Sequence, residues 1–264
     1  MEHNCANCNQ LISESFCSYC GQKKFKRIDR KYILDEVQYT VLHTNKGFLY
    51  SLKKLIQNPG KTAKEFIDGN RVNHYKPLLL AFVLSSVSAF ISYKVIGMSD
   101  IVREYYSRQH MNSPLMNDLM SVIASYNSAI VLMLIPFFAL FTKLAFRRWG
   151  HNYYEHIIMN CYILSFYTIV YIATIYPVMW VFRSNADIFV SISSASMLYV
   201  PFILIWFYKG FYTERPLKSI IGKALITIGL MLLAYLVLLV LVIIVVFVFA
   251  LVKGPEAFKY FQPG

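Results

Sequence analysis

Two pairs of cysteines near the start of the sequence carry its strongest chemical signal. Cys5 and Cys8 are separated by two residues, and so are Cys17 and Cys20. Four thiolates at this spacing are typical of tetrahedral zinc, because each pair turns two sulfurs towards one ion. Four protein ligands leave no open position on the metal, so the predicted zinc is structural rather than catalytic. A redox-active pair or two disulfides are the alternatives, and the reducing compartment inferred below disfavours disulfides.

The residue that follows the second cysteine of each pair supports a metal site. Asn9 and Gly21 occupy these positions, and both residue types accept the left-handed backbone that turns amides towards the sulfurs. A segment of about twenty residues cannot bury a core of its own, so metal binding is expected to supply its folding energy. We therefore predict a small zinc ribbon over residues 1–24.

Long apolar runs in the rest of the sequence indicate a membrane protein. Hydrophobic residues make up 57% of the chain and charged residues only 15%. A helix needs about 20 apolar residues to cross the hydrocarbon core, and five stretches meet this length, at about residues 78–96, 119–141, 157–182, 188–207 and 220–252. Serines and Asn127 dilute the second stretch, which leaves a re-entrant segment as its alternative. We predict an all-α polytopic membrane protein in which residues 77–264 form a five-helix transmembrane bundle.

The distribution of lysine and arginine predicts the orientation of this bundle. Lys and Arg are more frequent before the first predicted span, between the second and third, and between the fourth and fifth than on the opposite side. Because cytosolic loops carry such an excess, the amino terminus is expected in the cytosol and the carboxyl terminus outside the cell. The first thirty residues lack the apolar core of a signal peptide. We predict a multi-pass protein of the inner (plasma) membrane.

The formal net charge of +12 has the same origin. The basic excess reflects the orientation signal together with attraction to anionic lipids of the inner leaflet. Nucleic-acid binding would require a basic face with interleaved stacking aromatics, or a known binding fold. The sequence shows neither, so we predict the lipid bilayer as a partner and no nucleic acid.

Residues 25–76 form a basic connector with the pattern of short amphipathic helices. Apolar residues recur every three to four positions over residues 31–43 and again over 48–57, where Lys53 and Lys54 lie opposite the apolar stripe. Such helices could lie in the headgroup plane of the membrane. They could also pack against the inner ends of the spans, and the two arrangements are compatible.

Turn and capping residues divide the connector further. Pro59–Gly60 is expected to end the helix over residues 48–57. Thr62 and Glu65 have the spacing of a capping box, in which each side chain accepts a hydrogen bond from the backbone amide of the other residue. The next helix is therefore expected to begin at Thr62 and to end before Gly69, a C′ residue.

A resemblance becomes specific at this point of the chain. The segment resembles the uncharacterised bacterial membrane family catalogued as domain of unknown function 3667, through the pattern Leu55-x3-Pro59-Gly60-x8-Gly69-x-Arg71-x3-Tyr75-x-Pro77. Members of that family tend to begin with a zinc ribbon of the Phe16-Cys17-x2-Cys20-Gly21 kind, and residues 152–156 are similar to another recurrent stretch. The resemblance implies a bacterial inner-membrane protein. It supplies no activity and no catalytic residue.

Basic residues directly before the first predicted span are one set of lipid or ligand candidates. Arg71, His74 and Lys76 lie next to Tyr75 and Pro77. Their charges could bind a lipid phosphate, or they could anchor the end of the helix at the interface.

A second set of lipid or ligand candidates lies at the inner end of the third predicted span. It consists of Glu155, His156 and Asn160. His156 and Asn160 are four residues apart and share a helix face, while Glu155 could pair with an upstream arginine. The set could hold a lipid headgroup, or it could be a polar network that fixes helix packing.

The sequence favours a non-enzymatic adaptor or scaffold. Buried ionisable groups, which proton-transfer chemistry inside a membrane would need, are scarce in the predicted spans, so no enzyme is predicted. The zinc ribbon and the basic helices are expected to engage a protein partner at the membrane surface. The alternative is a transporter or lipid-handling protein that uses the polar cluster of the third span and the spans interrupted by Pro136, Pro177 and Pro201.

Overall fold

The computed structural model describes residues 3–5, 8–12, 14–21, 47–71, 74–111 and 113–253. The chain divides into two compact units, Met1–Asn45 and Lys46–Gly264. The helix predicted over residues 31–43 lies outside the described residues.

The first unit contains a small antiparallel sheet. Strands β1 (His3–Asn4) and β2 (Leu11–Ile12) pair so that His3 lies opposite Ile12. Among the described residues of this unit, Cys5, Ile12 and Cys17 are buried. A core of this size is too small to stabilise a fold by apolar burial alone.

The described part of the second unit is helical. Its α-helices are α1 (Gly47–Gln57), α2 (Pro59–Ile67), α3 (Pro77–Ala89), α4 (Met98–Arg108), α5 (Pro114–Ala145), α6 (Tyr153–Val170), α7 (Tyr176–Val181), α8 (Ala186–Ala195), α9 (Tyr199–Phe211) and α10 (Leu217–Lys253). A π-helix over Phe90–Ile96 continues α3, and another over Tyr171–Ile175 joins α6 to α7. A 3₁₀ turn, Ser196–Leu198, joins α8 to α9.

Within the described residues, five helical segments are long and apolar enough to cross a membrane, and they match the five predicted spans. They are Pro77–Ile96, Pro114–Ala145, Tyr153–Val181, Ala186–Phe211 and Leu217–Val245. The second, which serines dilute, is a helix of 32 residues with non-helical backbone angles at Tyr126. The predicted fold class, an all-α polytopic membrane protein with a cysteine cluster before the spans, is confirmed.

Helix α2 begins earlier than the sequence predicted. The Thr62–Glu65 capping box is wrong, because Asn58 is the N-cap and its Oδ1 accepts a hydrogen bond from the Lys61 amide at 2.9 Å. Thr62 lies inside the helix, and its hydroxyl donates to the Asn58 carbonyl oxygen at 2.8 Å. Helix α1 does end at Gln57, as predicted, and Pro59 is also the first residue of α2, a position where its missing N–H costs nothing. Gly69, with φ of 113° directly after the C-cap Asp68, is the predicted C′ residue.

Helices α1 and α2 pack on the transmembrane spans. In α2, Pro59, Gly60, Thr62 and Ala63 are buried, and the helix contacts α9 and α6. In α1, Leu55 is fully buried in the same apolar cluster as residues of all five spans. Of the two predicted arrangements of these helices, packing against the spans is therefore present.

Two glycines allow α2 and α9 to cross with their backbones in contact. A Cβ on Gly60 would overlap the Phe207 carbonyl oxygen and lie 2.5 Å from the Phe211 nitrogen. A Cβ on Gly210 would lie 3.3 Å from the Gly60 Cα and would overlap Asn58 Oδ1. Small residues permit this kind of close helix approach in membrane proteins. The crossing ties the connector to the fourth span.

Candidate functional site

The four predicted cysteine ligands come together in the first unit. The Sγ atoms of Cys5, Cys8, Cys17 and Cys20 all lie within 4.8 Å of one another. The Cys5–Cys20 and Cys8–Cys17 sulfur pairs are each 3.5 Å apart, well beyond the ~2.05 Å of a disulfide bond. A tetrahedral ion with bonds of about 2.3 Å to sulfur separates its ligands by about 3.8 Å. The cluster therefore fits a metal ion held by four sulfurs.

Two matching turns present these sulfurs. The amide of Asn9 donates to the Cys5 carbonyl oxygen at 2.9 Å, and the amide of Gly21 donates to the Cys17 carbonyl oxygen at the same distance. Asn9 has φ of 58° and Gly21 has φ of 71°, as predicted from their places in the sequence. Each pair of cysteines therefore lies in its own tight turn of the same kind, and both of its sulfurs belong to the cluster.

The backbone of the second turn favours a thiolate. The amides of Cys20 and Tyr19 hydrogen-bond to the Cys17 sulfur and lower the pKa of that thiol. At Cys8 the backbone of Gln10 acts in the same direction, but burial and hydrogen bonds with the other three thiols outweigh it and raise the pKa to about 12. In the absence of a metal ion, thiols of the cluster stay protonated, and binding of the ion would release these protons.

The turns also expose apolar side chains. Leu11, Phe16 and Tyr19 have exposed fractions of 59%, 57% and 78%. In a unit with so small a core, these side chains are available for contact with another surface.

The residues predicted as one cluster at the start of α6 have two different structural roles, shown by Glu155 and Asn160. Glu155 forms a capping box with Asn152: its Oε2 accepts from the Asn152 amide at 2.7 Å, and Asn152 Oδ1 accepts from the Glu155 amide at 3.0 Å. The sequence reasoning missed this box, although Asn followed three residues later by Glu is its usual signal. The carboxylate of Glu155 is thereby committed to the helix N-terminus.

Asn160 joins two spans. Its Nδ2 donates to Thr142 Oγ1 of α5 at 2.9 Å and to the His156 carbonyl oxygen at 2.7 Å. His156 is fully buried, and within the described residues its two ring nitrogens have no hydrogen-bond partner. His156 and Asn160 do share a helix face, and Asn160 provides the bridge to another span that the sequence left open.

We expect Asn160→Ala to destabilise the bundle by about 1 kcal/mol. Interhelical hydrogen bonds in membrane proteins contribute about 0.6 kcal/mol on average and at most about 1.7 kcal/mol. The free energy of unfolding in mixed micelles, measured for Asn160→Ala, Thr142→Ala and the double variant, gives the coupling energy. A coupling energy near zero would contradict the bridging role.

The residues before the first span also have different environments. Arg71 is exposed, its guanidinium lies 5.8 Å from the centre of the Phe66 ring, and its Nε donates to the Phe66 carbonyl oxygen at 3.3 Å. His74 is buried between Tyr50 and Phe66. Lys76 is exposed and precedes the first residue of α3. The structure therefore does not bring these three side chains together at one surface position.

His74 should make stability depend on pH. Burial lowers its pKa, and the Glu65 carboxylate, 3.6 Å from Nε2, only partly offsets this effect. The unfolded chain then binds the proton more readily, so the contribution of His74 is complete above pH 6.5 and decreases as the pH falls through that value. The free energy of unfolding of the wild type minus that of His74→Phe should be constant above pH 6.5 and should decrease as the pH falls below it. An unchanged difference from pH 5 to 8 would contradict this prediction.

The sequence analysis missed a polar cavity between the first three spans. It has a volume of about 220 Å³ and is lined by Ser85, Ser88, Ala89, Ser92, Tyr93, Met98, Asn127, Val131, Leu164, Tyr167, Thr168, Tyr171 and Tyr176. Ser85, Ser88 and Ser92 recur at three- and four-residue spacing along the first span, which is a signal visible in the sequence. This spacing identifies a polar stripe on the first span, but it does not indicate which residues of other spans face that stripe.

One comparison with known proteins gives a result. Residues 45–89 match the family described as Protein of unknown function (DUF3667). The matched segment contains α1, α2 and most of the first span, so the resemblance drawn from the Pro59–Gly60 pattern is confirmed over these residues. No curated protein and no solved structure matches the chain.

Proposed function

We propose that this protein is a non-enzymatic adaptor or scaffold of the bacterial inner membrane, and that the four cysteines hold structural zinc. The observation that carries the proposal is the closed sulfur cluster. Four sulfurs within 4.8 Å of one another use all four positions of a tetrahedral ion, so the metal would fold the ribbon and leave no position for a substrate. A ribbon folded in this way presents its exposed side chains in a fixed arrangement.

The connector supports a role at the membrane surface. Helices α1 and α2 are fixed to the spans through the Gly60 crossing and through buried Leu55. Lys53, Lys61 and Lys76 remain exposed, where they would attract anionic lipid headgroups. The excess of Lys and Arg on this side supports a cytosolic amino terminus.

Exposed aromatic side chains of the ribbon are the proposed contact with a protein partner. Phe16 and Tyr19 are exposed, and aromatic side chains frequently dominate the binding energy of interfaces. In vivo chemical crosslinking of the full chain, with quantification of each captured protein, tests the proposal. Phe16→Ala with Tyr19→Ala should reduce capture of the partner about tenfold or more, as expected for loss of a hot spot.

A matched control separates partner binding from general damage. Tyr154 is also highly exposed but belongs to the second unit, so Tyr154→Ala should leave capture unchanged. Zinc content and protein level of the aromatic variant should equal those of the wild type. If the same proteins are captured in equal amounts by the wild type and by a chain lacking residues 1–22, the adaptor proposal is wrong.

A lipid-handling role is the second candidate function. The cluster of Glu155, His156 and Asn160 gives it little support, because two of these side chains cap or bridge helices. The observation that favours it is the hydroxyl-rich cavity between the first three spans.

A further inference from the structure

We propose that the cavity between the first three spans binds an uncharged, hydroxyl-bearing group, such as the glycerol headgroup of a neutral lipid or a free polyol. This site is separate from the zinc ribbon and does not depend on the adaptor role. Four observations support it: an unpartnered hydroxyl, two π-helical segments, the depth of the cavity and the absence of charge in its described lining.

The hydroxyl of Ser85 lacks a hydrogen-bond partner among the described residues, although the side chain is only 4% exposed. Serine in a helix usually donates to the carbonyl oxygen four residues earlier. Ser86 does so, donating to Phe82 at 2.8 Å. A buried hydroxyl without a partner is costly. Ser85 lines the cavity, and rotation of its side chain about χ1 would let the hydroxyl bond a ligand there.

Both π-helical segments contribute to the cavity. Ser92 and Tyr93 belong to the π-helix of the first span, and Tyr171 belongs to that of the third span. π-Helical turns are rare and are frequently found at functional sites. Here they occur in two neighbouring spans and place polar side chains at the same cavity.

The cavity extends from about the middle of the bundle into the half farther from the connector. The first span begins at Pro77, and Ser85 and Ser92 follow it by about 12 Å and 22 Å at a rise of 1.5 Å per residue. In the proposed orientation the cavity extends from near the midplane into the outer half of the membrane. A lipid could therefore place its headgroup in the cavity and its acyl chains against the spans.

The chemistry of the lining selects an uncharged ligand. Its described residues include serine and threonine hydroxyls, four tyrosines and Asn127, and none of them is Asp, Glu, Lys, Arg or His. A phosphate or ammonium group transferred to such a site would lose its hydration without gaining a counter-charge. Several of these groups bond each other, as Ser88 and Tyr176 do at 2.7 Å, but their hydroxyl oxygens retain lone pairs that can accept from the hydroxyl groups of a ligand. The volume of about 220 Å³ exceeds the space that one water molecule requires.

Photocrosslinking tests this site with the full chain in phosphatidylcholine nanodiscs. The probe is a diacylglycerol that carries a diazirine close to its glycerol, and crosslinked peptides are identified by mass spectrometry. Labelling is expected within the segments that line the cavity, and unlabelled diacylglycerol should compete for it. If free glycerol competes equally well at the same concentration, the ligand chemistry is supported and the source is a soluble polyol.

Two variants and one control define the role of the cavity. Ser85→Ala should reduce labelling about three- to tenfold through loss of one hydrogen bond. Ala89→Leu, which places a larger side chain at the lining, should abolish it. Ser86→Ala is the matched control, because Ser86 is absent from the described lining and its hydroxyl already bonds the Phe82 carbonyl oxygen and Ser128 of the second span. Its labelling should equal that of the wild type.

Other results would overturn the proposal. Labelling spread evenly over the lipid-facing helices, or unchanged in both Ser85→Ala and Ala89→Leu, would show that the cavity does not select the probe. Stronger competition by phosphatidylglycerol than by diacylglycerol would show that the preferred group is charged. Equal thermal unfolding temperatures for the variants and the wild type confirm that reduced labelling does not reflect misfolding.

Discussion

Replacing Cys17 with serine should weaken zinc binding about 100-fold or more and unfold the ribbon. The Cys17 sulfur lies 3.5 Å from that of Cys8 and receives hydrogen bonds from the amides of Cys20 and Tyr19. Structural zinc contributes about 10–16 kcal/mol to sites of this kind, so the loss of one thiolate in four removes several kcal/mol. Zinc content can be measured by mass spectrometry of the purified full chain, with chelator competition to give the affinity.

Cys161 provides the control for this substitution. It is a fully buried cysteine of α6 that packs with Ala81 and Ile135 and belongs to the second unit. Cys161→Ala should retain one zinc ion per chain. In Cys17→Ser the bundle should keep its thermal unfolding temperature, because the described core of the bundle contains only residues of the second unit. Full zinc occupancy in Cys17→Ser at nanomolar free zinc would contradict the assignment of the four ligands.

Adding a single methyl group at Gly60 should be the most disruptive small substitution in the bundle. In Gly60→Ala the new Cβ would overlap the Phe207 carbonyl oxygen and lie 2.7 Å from the Gly210 carbonyl carbon. These are backbone atoms, so no side chain can rotate away and the two helices must separate. Overpacking of this kind costs about 1–3 kcal/mol or more. We expect the thermal unfolding temperature in detergent to fall by about 5–10 °C.

Gly222 is the matched control for Gly60. It lies in α10, and a Cβ built on it meets no atom within 4 Å. Gly222→Ala should therefore leave stability unchanged or raise it slightly, since alanine favours helix more than glycine does. Equal unfolding temperatures for Gly60→Ala and Gly222→Ala would mean that α2 and α9 do not cross in close contact.

Some features could be predicted from the sequence because their causes are local. The spacing of Cys5, Cys8, Cys17 and Cys20 is set by the turn that presents two sulfurs, and that turn needs only neighbouring residues. The spans follow from the length of each apolar run. The predicted start of α2 was wrong because Asn58 and Thr62 both have N-cap chemistry, and Pro59, which follows the end of α1, is also the first residue of α2.

Other features depend on residues that are distant in the chain. The importance of Gly60 comes from Gly210 in another helix, and no local pattern reveals that pairing. His74 looked like a ligand because histidine is polar, but Tyr50 and Phe66 bury it. Likewise, the serine stripe of the first span lines a cavity only because the second and third spans place other residues opposite it.

The location of the two chain ends tests the central claim most directly, since five spans must place them on opposite sides of the membrane. Reporter proteins fused before Met1 and after Gly264 measure this in living bacteria. A fluorescent protein that folds only in the cytosol should be bright at the amino terminus, and alkaline phosphatase, active only outside the cytosol, should be active at the carboxyl terminus. Both ends on the same side, or an amino terminus outside the cytosol, would contradict the proposed architecture.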